Sequence, residues 1–291
     1  MVCQASFDQG LTTIMPHLSP LSQPQATVLA LWSCGMVLAK GMQRQAQTVR
    51  QQLREWDDDV PRKRGAKRQA LPVETCCAPL LGWVVSWWQG TPLALAIDAT
   101  TLGPRFVVLA ISVVYRGGAI LVAWGILPAG AKHAWRREWR RRLRRLPRVI
   151  PRDWPVIVLA DRGLDAPWRL RRITRLGWHP LVRINTGGRF RPAGVLCWRS
   201  FLRVVPRPGT SWRGPDLALT RPPVPCTLLA RWEAGDKAPW LIRTDLAPEA
   251  SDAGWYGLRA WIEQRCNITK RAGWPWHRTR MRDPDRAARL W

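Results

Sequence analysis

Residues 92–127 read PLALAIDATTLGPRFVVLAISVVYRGGAILVAWGIL, and this stretch decides the fold. It contains three apolar runs, of which the first ends in Asp98 and the other two span residues 106–114 and 119–127. Each of these last two runs is about half the length of a membrane-spanning helix, so buried strands are the better interpretation. The residues RGG between them are typical of a hairpin turn, where glycine adopts positive φ. The stretch therefore predicts three consecutive strands.

Downstream of this stretch, the sequence predicts helices that alternate with strands. Residues 131–148 are typical of an amphipathic helix whose arginine-rich outer face is either a solvated surface or a track for DNA. The apolar stripe of this helix consists of Trp135, Trp139, Leu143 and Leu146. Residues 153–167 and 178–185 supply strands on either side of a helix at 167–177. The predicted order is therefore β-β-β-α-β-α-β.

The rest of the chain predicts an interrupted α/β domain. Residues 186–240 are rich in proline and carry short β-type runs, which indicates a strand-rich insertion. A last strand is expected within residues 238–246 and a last strong helix within 247–272. The core is therefore divided into residues 73–185 and 241–291. The predicted fold class is α/β, a mixed sheet with flanking helices and a β-rich insertion before the last helix.

A helical N-terminal region is predicted ahead of this core, in residues 1–72. Residues 21–56 are rich in leucine, alanine and glutamine, and a break at Gly41 allows either a helix-turn-helix or a plain helical bundle. Residues 57–72 are charged and contain two prolines and a glycine, so we expect a linker or an exposed loop. Its basic residues are either solvated or in contact with DNA phosphates.

The charge of the chain favours a polyanionic partner. Lysine and arginine number 46 against 20 acids, a formal net charge of +26, so nucleic acid is favoured over a mere arginine bias. The seven cysteines include no CxxC pair, which argues against a disulfide framework or a structural zinc site. The first residues do not resemble a signal peptide, and no apolar run is long enough to span a membrane. We therefore expect a cytoplasmic, nucleoid-associated protein with no membrane contact.

Two aspartates follow strands that are predicted to be buried. Asp98 ends one apolar run, and Asp161 directly follows the run VIVLA. The predicted order of elements sets these two strands side by side, and ligands of α/β sheets bind in the crevice beyond the carboxyl ends of the strands. Taken singly, either aspartate is equally well explained by a turn or a helix cap. Taken together, they indicate a site.

Residues 255–274, WYGLRAWIEQRCNITKRAGW, add one acid in a basic setting. On a helix with 100° per residue, four side chains fall within roughly 60° of one another: Tyr256, Arg259, Glu263 and Lys270. Arg259 and Glu263 stand at i and i+4, a pairing that a purely structural helix also carries. Such a stripe is nevertheless too polar to face a core, and it suits a helix that presents an acid and two bases to a charged ligand.

Three acids on separate elements form the donor set that phosphodiester chemistry needs. Two divalent ions roughly 4 Å apart stabilise the nucleophile, the phosphorus centre and the leaving oxygen. Because Mg²⁺ prefers carboxylate oxygens, we expect Asp98 to bridge two Mg²⁺ ions that Asp161 and Glu263 flank, with Mn²⁺ able to replace them. The ions also offset the mutual repulsion of three clustered carboxylates.

The pattern Tyr-x2-Arg-x3-Glu-x6-Lys, here YGLRAWIEQRCNITK, resembles the YREK signature of bacterial insertion-sequence transposases of the DDE class. The segments AIDATT and LADRGL resemble the surroundings of that family's first and second aspartates. The likeness covers most of residues 92–275. It implies an RNase H-like catalytic domain with a β-strand insertion before the glutamate helix, in agreement with the order predicted above.

The resemblance also implies roles for individual residues. The catalytic, metal-binding triad of the family corresponds to Asp98, Asp161 and Glu263. The residues that hold the transposon end through its phosphates correspond to Tyr256, Arg259 and Lys270. Arg162, next to the second aspartate, either serves the DNA or is one more surface arginine. The tryptophans are in the main expected to be core residues. The resemblance offers one alternative for the insertion, in which one of three tryptophans stacks on a flipped base: Trp198, Trp212 or Trp232.

Members of the family cut DNA at transposon ends, free a 3′-hydroxyl and join it to target DNA. The resemblance therefore implies a transposase that works as a homodimer on double-stranded DNA. The alternatives are an impaired DNA-binding derivative that acts as a repressor, and an RNase H-like nuclease without strand transfer. Family members usually continue further, so the final residues DPDRAARLW imply a shortened copy, in which residues 289–291 begin a helix.

Overall fold

A computed structural model describes Pro16 and residues 73–192, 195–218, 224–270 and 281–291. The helices and the basic linker predicted in residues 1–72 lie outside this part of the chain, apart from Pro16. None of the described helices combines the length and the apolar character that crossing a membrane requires.

The described residues form helices and strands in a regular order. The helices are α1 (Val73–Ser86), α2 (Trp135–Arg145), α3 (Pro167–Thr174), α4 (Ala260–Ile268) and α5 (Pro284–Leu290). The first five strands are β1 (Leu93–Leu102), β2 (Phe106–Tyr115), β3 (Gly118–Pro128), β4 (Val156–Ala160) and β5 (His179–Arg183). The others are β6 (Arg189–Phe190), β7 (Arg199–Ser200), β8 (Thr210–Ala218), β9 (Val224–Trp232) and β10 (Trp240–Thr244). A 3₁₀ helix, Ala253–Arg259, leads directly into α4.

Eight of these strands form one mixed sheet in the order β3-β2-β1-β4-β5-β10-β9-β8. β4 is parallel to both β1 and β5, and the other neighbouring strands are antiparallel. The predicted mixed α/β sheet with flanking helices is therefore confirmed, as is the order β-β-β-α-β-α-β. β8 and β9 extend this same sheet beyond β10, whereas β6 and β7 pair with each other.

The turn between β2 and β3 differs in detail from the prediction. The two residues with positive φ are Arg116 (φ 42°) and Gly117 (φ 81°). Gly118 is instead the first residue of β3 and pairs with Tyr115. Positive φ at both central residues is the type I′ pattern that matches the twist of a two-residue hairpin. The hairpin geometry therefore forces an arginine into a conformation that we expected of the second glycine.

Helices cover both faces of the sheet. α1, α2 and α3 pack on one face, in a core that includes Leu95 and Ile97 of β1. The 3₁₀ helix, α4 and α5 pack on the opposite face, in a core that includes Ala96. Because side chains alternate along a strand, Asp98 and Thr100 lie on the same face as Ala96, beneath α4.

The predicted apolar stripe of α2 packs into the first core: Trp135, Trp139, Leu143 and Leu146. Two charged residues of this helix, Glu138 and Arg142, are buried as well. They form an ion pair at 2.6 Å. The Arg142 guanidinium lies against Gly125 of β3, where an added Cβ would be 1.4 Å from the nearest guanidinium nitrogen. A glycine in the middle of a strand thus makes room for a buried arginine.

The last described helix begins earlier than the sequence predicts. We expected a helix to start at Arg289, but α5 starts at Pro284, and Arg289 belongs to its last turn. The Asp283 carboxylate accepts a hydrogen bond from the backbone N–H of Arg286 at 2.9 Å. An aspartate cap followed by proline at the first helical position is a strong start signal, which the sequence interpretation overlooked.

A third core lies among the strands after β5: Ile184, Phe190, Phe201, Val205, Leu228, Ala230 and Leu241. Beside it, the fully buried carboxylate of Asp216 on β8 accepts a hydrogen bond from Nε of Arg243 on β10 at 3.0 Å. It also accepts one from the backbone N–H of Arg191 at 3.1 Å. This buried carboxylate therefore ties β8 to β10 across the intervening β9.

Candidate active site

Asp98 and Asp161 lie next to each other at the carboxyl end of a parallel strand pair. The register of β1 and β4 ends with Ile97 opposite Ala160, so the two aspartates are the next residue on each chain segment. This confirms the predicted adjacency of the two strands. The prediction that Asp98 ends its strand is wrong, because β1 continues to Leu102 through its antiparallel pairing with β2. At Asp98 the pairing of β1 with β4 has ended, while its pairing with β2 continues.

The helical segment that carries the third acid is not uniform. The sequence predicted one α-helix through Tyr256 and Lys270, but the structure has a 3₁₀ helix up to Arg259 and α-helix from Ala260 to Ile268. Thr269 and Lys270 follow in a wider π turn. The assumed rotation of 100° per residue is therefore wrong over part of the stripe, since 3₁₀ turns are tighter. Short 3₁₀ segments are common at helix starts, and apolar spacing does not reveal them.

Arg259 lies at the centre of the site and joins the three acids. Its Nη2 atom lies 3.0 Å from Oδ1 of Asp98 and 3.9 Å from Oδ2 of Asp161. Its Nη1 atom donates a hydrogen bond to the Glu263 carboxylate, one turn along α4. The acids come from β1, the end of β4 and α4, so the fold brings together all three side chains that the sequence proposed as a triad.

Tyr256 contacts the second aspartate. Its hydroxyl donates a hydrogen bond to Oδ1 of Asp161 at 3.0 Å, and its side chain is buried. Its ring packs edge-on against Trp240, with centroids 5.4 Å apart. Burial, together with the hydrogen bond to Asp161, raises the pKa of the Tyr256 hydroxyl far above its usual value. The hydroxyl therefore remains a proton donor to the carboxylate.

Lys270, the last residue of the stripe, reaches a different partner. Its ammonium group donates a hydrogen bond to the Thr100 hydroxyl, two residues beyond Asp98 on the same face of β1. The end of the α4 segment is thus tied to the strand that carries the first aspartate, with a positive charge close to that carboxylate.

The acids differ in their exposure to solvent. The side chain of Asp98 is 13% exposed, that of Asp161 33% and that of Glu263 53%. Burial raises the pKa of Asp98, and the nearby Glu263 adds to this rise, while Arg259 and Lys270 act against it. Burial opposes the charged form of Arg259, but its hydrogen bond to Glu263 and the surrounding acids outweigh this and raise its pKa. The site is a partly buried cluster in which one guanidinium balances several carboxylates.

The donor set has the right chemistry for hard divalent ions, because all three acids offer carboxylate oxygens. Their arrangement is centred on Arg259, however. In the part of the chain that the structure describes, no group of three histidine, cysteine or acidic side chains is gathered closely enough to hold a metal ion. The residues therefore fit Mg²⁺ or Mn²⁺ in kind, while the Arg259 guanidinium occupies the space between them.

A groove of about 480 Å³ opens beside the acids. Its acidic and aromatic walls come from Asp161, Glu263, Tyr256 and Trp240. Its basic walls come from Arg162, Arg183, Lys237 and Arg259. Arg162 is exposed and lines this groove. Both predicted alternatives, a ligand contact and a surface arginine, are compatible with this position. A groove lined by bases next to clustered acids suits a substrate with negative charge.

The sequence interpretation missed several residues of this groove, among them Arg183, Lys237 and Trp240. Arg183 ends β5, the parallel neighbour of β4, and its guanidinium lies 6.0 Å from the ring centre of Trp240 and 5.9 Å from that of Tyr256. The rule that singled out the aspartates, a polar residue at the carboxyl end of a buried parallel strand, would have found Arg183 too. Lys237 lines the groove from the turn before β10, and Trp240 lines it as the first residue of that strand. No sequence signal marks either residue.

The three tryptophans proposed for stacking on a base occupy other surroundings. Trp212 packs on Phe190 at 5.4 Å within the third core. The indole N–H of Trp232 donates a hydrogen bond to the backbone oxygen of Asp236 at 3.0 Å. Trp198 is 37% exposed, beneath the guanidinium of Arg191. None of the three lines the groove, whereas Trp240 does. Their role on DNA stays a prediction.

Comparisons with known proteins show which family this chain resembles. Residues 90–291 match a family model described as the transposase DDE domain. No curated protein matches the chain.

Among solved structures, this chain is similar to a piggyBac transposase in a synaptic complex with hairpin DNA, with a TM-score of 0.40 and 12% identity. That match covers 76% of this chain but 48% of the other, so the chain spans about half of that protein's length. It is also similar to human ENDOV, with a TM-score of 0.28 and 13% identity over 83% of this chain and 93% of that one.

Proposed function

This chain belongs to the family of the transposase DDE domain, which has the RNase H-like fold predicted from the sequence. We propose that it cuts DNA at transposon ends and joins the freed 3′-hydroxyl to target DNA. The observation that supports this function most directly is the meeting of three carboxylates around Arg259. Asp98, Asp161 and Glu263 come from three separate elements, and they meet at the carboxyl ends of parallel strands, beside a basic groove.

We assign the three acids as the catalytic, metal-binding residues. Mg²⁺ ions held by Asp98, Asp161 and Glu263, or Mn²⁺ in their place, would activate the attacking oxygen and stabilise charge on the phosphate. Tyr256 fixes the orientation of Asp161 through its hydrogen bond. Such fixed geometry matters because a displaced ligand oxygen misaligns the reacting phosphate.

The DNA partner is expected to lie in the groove. Arg162, Arg183 and Lys237 line it and would neutralise phosphates next to the acids. Lys270 and Arg259, which the family resemblance relates to the transposon end, add positive charge close to the acids. The formal net charge of +26 attracts double-stranded DNA over a longer range. A homodimer that bridges two ends completes the proposal.

Neutral, near-isosteric substitutions at the acids test the function. Asp98→Asn, Asp161→Asn and Glu263→Gln are each expected to abolish Mg²⁺-dependent nicking of a duplex that carries the element's own ends. The affinity for that duplex, measured by fluorescence anisotropy, should remain within about threefold, because phosphate contacts supply most of it. Asp236→Asn is the matched control, since Asp236 lines the same groove without contacting Arg259. Nicking that survives all three substitutions would refute this site.

A second assay separates the proposed reaction from its alternatives. Pre-cut ends that carry a free 3′-hydroxyl are incubated with a supercoiled plasmid, and covalent joining is scored on a gel. Joining is expected of a transposase. Cutting without joining would identify a nuclease, and tight DNA binding with neither reaction would identify a repressor.

A further inference from the structure

Arg259 uses the oxygen atoms that a divalent ion would also need. One guanidinium nitrogen lies near Asp98 and Asp161, and another donates to Glu263. The Arg259 side chain is only 8% exposed, so it is enclosed by these contacts rather than lying on the surface. A guanidinium and a divalent ion cannot share this space, because two cations a few ångströms apart in a partly buried site repel each other strongly.

We infer that Arg259 is an internal counter-ion that competes with divalent ions for the three acids, and that a DNA phosphate promotes ion binding by drawing its guanidinium into the groove. This inference rests on the proposed function, which needs ions at these acids. The sequence predicted only that Arg259 holds DNA. The inference adds that Arg259 controls when ions reach the acids.

Two features of Arg259 support its movement toward a phosphate. It already lines the groove that Arg162, Arg183 and Lys237 make basic, so the groove is next to its guanidinium. Its Nε atom is buried without a hydrogen-bond partner. A buried unsatisfied N–H is unfavourable, and a phosphate binds a guanidinium through two parallel N–H groups. The exchange would therefore satisfy a donor that the carboxylates leave unused.

A consequence of the exchange is coupling between the two ligands. If phosphate removes the competitor of the ion, then DNA raises the affinity for ions, and ions raise the affinity for DNA by the same factor. The acids then become competent for chemistry mainly when DNA fills the groove. Cleavage by stray ions in the absence of a bound end is suppressed in the same way.

Mn²⁺ binding to the full chain tests the inference without any activity measurement. Free Mn²⁺ is followed by electron paramagnetic resonance, with and without a duplex oligonucleotide, and the Mn²⁺ that the duplex binds alone is measured separately and subtracted. For the unsubstituted chain, the duplex should lower the Mn²⁺ dissociation constant about tenfold, which would equal a coupling of about 1.4 kcal/mol. Arg259→Gln should bind Mn²⁺ about tenfold more tightly without DNA, and the duplex should then have little further effect.

Arg265→Gln is the matched control. Arg265 lies on the same helix and is exposed, and the substitution removes the same charge without a carboxylate contact. If Arg265→Gln tightens Mn²⁺ binding as much as Arg259→Gln, a general field effect explains the data and the inference is refuted. An unchanged Mn²⁺ affinity of the unsubstituted chain on adding duplex refutes it too, even if Arg259→Gln fails to fold. If this chain binds no Mn²⁺ under either condition, the proposed metal-dependent function fails along with it.

Discussion

The hydroxyl of Tyr256 donates a hydrogen bond to Oδ1 of Asp161 at 3.0 Å, across 95 positions of sequence. Both residues line the groove, but the tyrosine side chain is buried and the aspartate is partly exposed. The tyrosine therefore contacts the carboxylate from the protein side and leaves the groove side open. This geometry supports a role in orienting Asp161, in addition to the DNA contact expected from the sequence.

Tyr256→Phe separates these two roles. Loss of the hydroxyl removes one hydrogen bond to a charged acceptor, worth about 1.5 kcal/mol, so we expect nicking at saturating DNA to slow about tenfold. Initial nicking rates and DNA affinity measured on the same preparation check this. Tyr115→Phe, which changes the chain's only other tyrosine on the exposed end of β2, should alter neither quantity. Weaker DNA binding with an unchanged rate at saturation would instead support a DNA contact alone.

Lys270→Met tests whether the lysine at the end of the stripe also meets a phosphate. Each phosphate contact that is lost should reduce the slope of log affinity against log salt concentration by about one. Thr100→Val keeps the charge of Lys270 and removes only its partner on β1, so it should leave this slope unchanged. Titrations at several salt concentrations provide the measurement. Equal slopes for Lys270→Met and the unsubstituted chain would restrict Lys270 to holding α4 on the sheet.

The sequence was sufficient for the parts of the fold that depend on local pattern. Three apolar runs and a glycine turn predicted β1 to β3, and the alternation that follows predicted β4 and β5 in a mixed sheet. The adjacency of Asp98 and Asp161 followed from this order, because parallel neighbours carry their carboxyl ends to one edge. The i and i+4 spacing predicted the contact between Arg259 and Glu263.

Other features depend on contacts between distant segments and leave no local trace. The burial of Glu138 and Arg142 depends on the space left by Gly125 on another strand. The position of Arg259 between all three acids requires the packing of α4 across the sheet. Lys237 reaches the groove only because β10 joins the sheet beside β5. Charge counts and hydrophobic periodicity cannot predict such contacts between side chains that are distant in sequence.

Gly125→Ala is expected to destabilise the chain strongly. The new Cβ would lie 1.4 Å from a guanidinium nitrogen of Arg142, so this buried guanidinium has to shift, and we expect the shift to break its pair with Glu138. Breaking a buried ion pair costs about 3 kcal/mol or more of unfolding free energy, measured by urea titration. Gly118→Ala on the same strand is the control, because its Cβ would meet only a backbone oxygen at an ordinary 3.6 Å. Equal stabilities of the two variants would contradict the close packing of Arg142 on β3.

Cysteine reactivity reports whether α4 stays packed on the sheet. Cys266 is buried three residues beyond Glu263, and burial, reinforced by the charge of Asp98, raises its pKa to about 11. At pH 8 only about 0.1% of such a thiol is ionised, so iodoacetamide should alkylate it on the order of 100-fold more slowly than the exposed Cys197. The rate at Cys266 should rise with pH toward 11, as its thiolate fraction grows. Mass spectrometry of each peptide gives the rates, and similar rates at the two residues at pH 8 would mean that α4 leaves the sheet readily.

The buried pair between Arg243 and Asp216 should hold the outer strands of the sheet in place. Arg243→Ala would leave a fully buried carboxylate with only the backbone N–H of Arg191 and the weakly donating thiol of Cys226, at an expected loss of about 3–5 kcal/mol. Arg213→Ala is the matched control, since Arg213 is exposed on β8 and its loss should change stability by no more than about 0.5 kcal/mol. Urea unfolding measures the stability, and limited proteolysis locates the weakened segment.

We expect faster cleavage between β6 and β9 in the Arg243 variant, because the tie from β10 to β8 is lost. Cleavage and stability that match those of the Arg213 variant would show that apolar packing of the third core suffices to hold these strands.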